Sequence, residues 1–247
     1  MLASMRFFFP SVAAGSEGYR VVELDGVLAT VTPVVPDRSL PNSVLYESEQ
    51  QLEAALGELA RIYDRAGVRA WTVWTPGFHE RARRVLTDAG HVLDANPEAM
   101  ILDLAQLERP RDEDPEPDPE PMAADLGLIN DRAYGLTETF TAMLGDGPLD
   151  PASAYIARLD GRPAASVVTS DHEGDCAIWW VAVTPEARGR GFASGLIRRA
   201  LAAARERGCD ISTLQATKMG RPVYERLGYR RLGPIEMWER RKPAPDS

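Results

Sequence analysis

The chain has 247 residues, room for one large domain or two small ones, and with 44% of them hydrophobic it can bury real cores. Acidic residues outnumber basic ones 37 to 28, and the net charge of −9 argues against a nucleic-acid backbone as the main partner. No apolar run approaches the ~20 residues that a membrane-spanning helix needs, so no membrane partner is expected.

The opening MLASMRFFFPSVAAG has an apolar stretch of only Phe7 to Phe9, closed by Pro10. It reads as a local element docked on the N-terminal half rather than a secretory leader. Arg20 to Val31, RVVELDGVLATV, sets Asp25-Gly26 between two apolar runs, a strong hairpin signal. The helical run SEQQLEAALGELARIYDRAG ends at Gly67, and the short strand VRAWTVW follows. Its Trp71 and Trp74 read as core aromatics, or as walls of a cleft between two lobes. HERARRVLTDAGH is a helix closed by Gly90 at the position after its C-cap. From Glu108 to Pro121, ERPRDEDPEPDPEP alternates prolines with acids. Such a stretch cannot pack a core and is expected to extend as a solvated linker. It divides the chain into residues 1–107, 108–121 and 122–247.

Beyond the linker, YGLTETF places Glu138 in a helical region, and AYIARLDGRPAASVV repeats the hairpin pattern around Asp160-Gly161. His172, Glu173 and Asp175 in SDHEGD fit an ordinary polar loop, or candidates for a general base if that loop lies at the cleft end of the next strand. On that strand, IWWVAV, Trp179 and Trp180 are expected on opposite faces. Arg188-Gly189-Arg190-Gly191 then joins the strand to the helix ASGLIRRALAAARERG, which ends at Gly208. CDISTLQA is the next strand, and GRPVYERLGY the next helix, closed by Gly228. Cys176 and Cys209 are the only cysteines and form no C-x-x-C pair, which fits reduced thiols in a cytoplasmic protein. His79, His91 and His172 lack metal-ligand spacing, so no metal is expected.

The second half repeats the first. Gly26, Gly67 and Gly90 return in order, at nearly constant spacing, as Gly161, Gly208 and Gly228. That points to a duplicated domain rather than a solenoid. The first half is shorter only where the second carries the Arg-Gly loop, and its counterpart, NSVLYESEQQLEAAL, has no glycine until Gly57. A helix start leaves amides unpaired and carries partial positive charge, and glycines before it admit a ligand to the backbone. The loop therefore suits an anion such as a pyrophosphate. The spacing Gly189, Gly191, Gly195 is not G-x-G-x-x-G, and no Gly-Lys-Ser/Thr follows. Taken alone, the four residues fit a solvated turn equally well.

With its surroundings, Arg188-Gly189-Arg190-Gly191-Phe192-Ala193 resembles the signature of the GNAT superfamily of acetyl-CoA-dependent acyltransferases, Gln/Arg-x-x-Gly-x-Gly/Ala after a central strand. VYERLGY, with Tyr224, Leu227, Gly228 and Tyr229, is similar to the family's aromatic helix ending Tyr-x-x-Leu-Gly-Phe/Tyr. The resemblance covers roughly Asp125 to Trp238 and implies an α/β fold with a mixed sheet, as two GNAT-like lobes in tandem. The first lobe is degenerate, with Leu86 opposite Tyr224 and no cradle. By position, the amides from Arg188 through Gly189, Arg190, Gly191 and Phe192 to Ala193 would hold the pyrophosphate of acetyl-CoA. Val181 and Val183 would line its pantetheine arm, and the Val183 N–H would polarise the thioester carbonyl. Tyr224 matches the general acid for the departing thiolate, or else is a packed aromatic. Thr217 stands where the family often has an asparagine that contacts the cofactor, and Pro222 requires the helix to start late. The resemblance implies an N-acetyltransferase acting by direct attack of a primary amine, with no metal. The alternative is a catalytically silent acyl-CoA-binding sensor or scaffold. A monomer is compatible with two lobes that pack on each other.

Overall fold

The computed structural model describes residues 1–145 and 150–243. A short helix, α1 (Leu2–Phe8), precedes the hairpin of β1 (Arg20–Leu24) and β2 (Val27–Val31), which turns at Asp25-Gly26. β3 (Ser43–Tyr46), α2 (Glu49–Arg65), β4 (Ala70–Pro76), α3 (Glu80–Asp88), β5 (Val92–Ala95) and β6 (Glu98–Asp103) complete the first half. The second half opens with α4 (Ala123–Tyr134) and α5 (Thr139–Leu144). It then repeats the first: β7 (Ala152–Leu159), β8 (Arg162–His172), β9 (Asp175–Val183), α6 (Phe192–Glu206), β10 (Ile211–Ala216), α7 (Arg221–Arg226) and β11 (Arg230–Arg241). Pro222 falls in the first turn of α7, where its missing N–H has no helical partner to lose.

The described strands form one sheet in the order β1-β2-β3-β4-β11-β6-β10-β9-β8-β7, with β5 also on β11. β11 serves both halves. Its residues Arg230 to Pro234 pair with β6, and Ile235 to Arg241 pair with β4. β6 in turn lies between β10 and β11 of the second half. Each half therefore completes its sheet with a strand from the other, a pairing between residues more than a hundred positions apart.

Three cores follow from this arrangement. Leu52, Leu59, Tyr63 and Leu86 of α2 and α3 pack on the first half with Trp71, and Leu196, Ile197 and Leu201 of α6 pack on the second with Tyr224 and Tyr229. The third core lies under α1, α4 and α5 and joins the halves, drawing Phe8, Phe9, Trp74, Ile129, Trp179 and Ile235 together. The N-terminal segment thus does not dock on the first half alone, as its sequence suggests. Phe8 stacks on Trp179 at 4.4 Å and Phe7 on His172 at 4.7 Å, both in the second half, while Phe9 meets Trp74 edge-on at 5.9 Å. Three consecutive aromatics on a helical end splay around it and reach strands of both halves.

The acid-proline segment also differs from expectation. It is a strap, not a solvated spacer. Asp114 is buried and paired with Arg198 of α6, whose Nε donates to Oδ2 at 2.8 Å. Glu116 pairs with Arg199 and Asp118 with Arg158, and the Asp118 N–H donates to the Ile156 carbonyl on edge strand β7 at 2.7 Å. Pro115 lies so close to α6 that a Cβ on Gly195 would come within 2.5 Å of its ring. Composition rules out a core of its own, but does not reveal arginines waiting on another element. The hydrogen bond from Arg198, opposed by burial, holds the Asp114 carboxyl below the ordinary carboxylate range. Its stabilisation is therefore complete above the unfolded value of about 3.9 and is lost as pH falls through the lower folded value. Asp114→Ala, which leaves a buried guanidinium unpaired, is expected to cost about 3 kcal/mol in urea unfolding at pH 7. A loss below about 1 kcal/mol would mean that the strap does not anchor through this pair.

Candidate active site

β9 and β10 pair in parallel only from Asp175 to Ala177 against Ile211 to Thr213, and then diverge. The end of β9 keeps β8 on one side and faces a gap on the other. Within this stretch the β8–β9 register slips between Ser166 and Val168, and Trp180 takes a left-handed φ of 45°. The extra residue breaks the alternation of side chains. As a result Trp179 and Trp180 do not point to opposite faces: both meet Phe8, one stacked at 4.4 Å and the other edge-on at 5.4 Å. A bulge is a property of the ladder, which a strand read by itself does not reveal.

Past the bulge, the Thr184 N–H donates to the Ala164 carbonyl at 2.8 Å. Alternation in an antiparallel pair then turns the N–H and C=O of Val183 away from β8, into the gap. The carbonyls along this edge are held from outside. Val183 accepts from Arg188 Nε at 3.3 Å, and Val181 accepts from the Tyr134 hydroxyl at 3.2 Å. Arg188 Nη2 also donates to the Ala133 carbonyl at 2.8 Å, so this side chain braces the loop against the end of α4. Tyr134 was not singled out in the sequence. It is the last residue of α4, and nothing local marks it as reaching a strand carbonyl 47 positions away.

The loop delivers the chain to α6 through Gly189 and Gly191, both left-handed with φ of 74° and 82°. Gly191 is the N-cap of α6, with no side-chain cap and no acid in the first turn. The first helical bond runs from the Gly195 N–H to the Gly191 carbonyl at 2.9 Å. Among the described residues, none of the amides from Gly189 to Ser194 has a hydrogen-bond acceptor. Open space surrounds both loop glycines where a Cβ would stand. The residues thus leave a run of uncapped amides at the positive end of a helix, suited to a phosphate group.

Tyr224 on α7 is buried, with its ring edge-on to Tyr229 at 5.8 Å. It belongs to the same core that Val181, Val183 and Phe192 pack against. Burial, with a smaller contribution from Tyr134, pushes the Tyr224 phenol above its ordinary pKa and keeps its proton in place at neutral pH. Thr217 is exposed, and its Oγ1 accepts from the Gly220 N–H at 3.1 Å, holding the turn into α7.

His172, Glu173 and Asp175 lie at the opposite end of β9 from Val183, roughly 26 Å away at the usual rise per residue. Asp175 is buried and accepts from Ser4 Oγ and Thr213 Oγ1, at 2.6 and 2.7 Å. These three residues are not at the cleft end. Glu138 is exposed beside α5. Among the described residues, no cluster of His, Cys, Asp or Glu suits a metal ion, and no helix is long and apolar enough to cross a membrane.

The first half has the same divergence without the same opening. β3 and β4 pair only at Ser43 and Val44, and beyond them the Tyr46 hydroxyl lies 2.9 Å from His79 Nδ1. Ser48 caps α2 by accepting from the Gln51 N–H at 3.3 Å. Glu49 follows in the first turn and accepts from the Ala82 N–H at 2.8 Å. An acid and a capping hydroxyl thus stand where α6 presents bare amides, and Leu86, buried on α3, stands where α7 has Tyr224.

The sequence profile of the acetyltransferase (GNAT) family matches residues 103–229. No curated protein sequence matches the chain. Among solved structures, a GCN5-related N-acetyltransferase from Kribbella flavida is 16% identical, with a TM-score of 0.70 over 98% of this chain and 95% of that one. A GCN5-related N-acetyltransferase from Sphaerobacter thermophilus is 18% identical, with a TM-score of 0.59 over 90% of this chain and 79% of that one. A tandem GNAT protein from the clavulanic acid biosynthesis pathway is 10% identical, with a TM-score of 0.56 over 94% and 86%. At these identities the structures establish the fold, and the profile, which spans more than half of the 247 residues, establishes the family. The chain belongs to the GNAT acetyltransferase family, on a mixed α/β fold of two GNAT-like lobes.

Proposed function

We propose that the chain transfers an acetyl group from acetyl-CoA to a primary amine of a small molecule or peptide, by direct attack and without a metal. The reading assigns the chemistry to residues 122–247 and a supporting role to residues 1–107. The observation that carries it is the run of uncapped amides at the start of α6, next to the open edge of β9. Acetyl-CoA supplies an activated acyl group as a thioester. The amides from Gly189 to Ala193 hold its pyrophosphate, the Arg188 N–H being donated to the Pro185 carbonyl at 3.4 Å, and Val181 and Val183 line the pantetheine arm. The Val183 N–H donates to the thioester oxygen as it gains charge. As the amine nitrogen bonds to the acyl carbon, the carbon–sulfur bond breaks, Tyr224 gives its proton to the departing sulfur, and the proton that the amine sheds passes through water to restore the phenol. Thr217, committed to its turn, contributes at most a backbone contact to the cofactor.

Calorimetry with CoA is expected to give one site per chain, because α2 is capped where α6 is not. Arg188 is occupied by two carbonyls, whereas Arg190 is exposed and has no partner among the described residues. Arg190→Ala is expected to weaken CoA binding by roughly 1.5–3 kcal/mol, the range for a hydrogen bond to a charged group. Two sites per chain, or an unchanged affinity in the variant, would count against the cradle. The acceptor is found by screening amines with acetyl-CoA while following free thiol. Release of thiol with none of them would favour a silent binder only if CoA binds.

A further inference from the structure

The end of α4 does more than carry the chain into α5. Asn130 and Tyr134 stand one turn apart on it, and both reach the free end of β9. Asn130 Nδ2 donates to Ser166 Oγ at 3.2 Å, and that hydroxyl donates to the Trp180 carbonyl at 3.4 Å, at the bulge. The Tyr134 hydroxyl holds the next carbonyl along, that of Val181. Arg188, itself seated on the Ala133 carbonyl, holds that of Val183. The Val183 N–H belongs to the peptide that joins Ala182 to Val183. The peptide before it is pinned through the Val181 carbonyl, and the peptide after it through the Val183 carbonyl and the Thr184 N–H. Peptides are planar, so a donor with both neighbours fixed has its direction fixed as well.

The Tyr134 ring is itself held. Gly135 ends α4 in the left-handed region, and the Asp131 carboxylate accepts from the Phe140 N–H at 2.7 Å and from the Thr141 N–H and Oγ1 at 3.1 and 2.9 Å. These bonds fix the corner into α5, and from it Phe140 stacks on the Tyr134 ring at 5.8 Å. Tyr134 is nevertheless 51% exposed, so water can satisfy its hydroxyl and burial does not require a protein partner. From this placement we infer that Tyr134 is a positioning residue for the transfer: its hydroxyl, through the Val181 carbonyl, aims the Val183 N–H at the thioester oxygen. The inference rests on the assignment of Val183 as the oxyanion donor in the proposed function. A donor aimed in advance stabilises charge without turning as the charge develops, and a loosened edge forfeits that advantage.

The test uses the full chain and acetyl-CoA isotopically labelled at its carbonyl carbon, with infrared difference spectra reporting how strongly that carbonyl is polarised. In the wild type the bound carbonyl band is expected at a lower frequency than in free acetyl-CoA. Tyr134→Phe keeps the ring on Phe140 and removes only the hydroxyl. The variant is expected to melt and bind acetyl-CoA as the wild type does, while its band moves back toward the free position. With the amine found by screening, its kcat should fall roughly tenfold, less than the roughly 10²–10³ that losing an oxyanion donor outright costs. A band or a kcat equal to that of the wild type, or a loss confined to KM, overturns the inference and leaves the Val183 donor standing. A lower melting temperature with an unmoved band makes Tyr134 a structural residue and overturns it too. A wild-type band no different from that of free acetyl-CoA removes the Val183 donor and this inference with it, but not the cradle. If acetyl-CoA does not bind at all, the cradle falls as well.

Discussion

Tyr224→Phe is expected to fold as the wild type does, bind CoA with unchanged affinity, and turn over roughly 10²–10⁴-fold more slowly. Phenylalanine keeps the ring in its pocket against Tyr229, and the hydroxyl makes no hydrogen bond among the described residues, so its removal orphans nothing. The loss should fall on kcat rather than on KM for acetyl-CoA, because the proton moves only as the carbon–sulfur bond breaks. Burial raises the Tyr224 pKa, so its acidic form persists through neutral pH and past the ordinary phenol value of about 10. An alkaline limb of activity below that pH therefore belongs to another group. Steady-state kinetics with the amine found by screening decide the matter. Turnover within a factor of about three of wild type would remove Tyr224 from the mechanism. Wild-type CoA binding with no turnover would favour the silent acyl-CoA binder.

The second large effect concerns the halves. A fragment of residues 122–247 is expected to show no cooperative thermal transition and no CoA binding, although it contains every residue assigned to the chemistry. It lacks β6, so β10 and β11 lose the strand between them, and residues 235 to 241 lose β4 and β5. It also loses Phe8 from beneath Trp179 and Asp114 from Arg198. A buried charge and two open sheet edges together exceed the margin by which domains of this size are stable. Circular dichroism melts compare the fragment with the whole chain, and a fragment as stable and active as the full protein would refute the supporting role of residues 1–107.

What the sequence disclosed was local chemistry. The hairpins at Asp25-Gly26 and Asp160-Gly161, the helix ends at Gly90 and Gly228, and the glycine entry to α6 are each set by a few adjacent residues. Non-local features stayed hidden for a common reason. The bulge at Trp180 depends on register against β8, and the reach of Tyr134 depends on where α4 ends over β9. The strap depends on arginines some eighty residues further along. Periodicity found the duplication, but the crossing of β6 and β11 required a length of strand that no turn signal announces.

That crossing sets an order of events during synthesis. While the first half emerges from the ribosome, β4 and β5 have nothing between them, and β6 has no partner on either side. Neither lobe can close until Ile235 to Arg241 have been made. The usual sequence, in which an N-terminal domain finishes folding before the next begins, is closed to this chain. Both halves are therefore expected to reach the native state in one late step governed by long-range strand pairing, with the open edges kept apart from other chains until then.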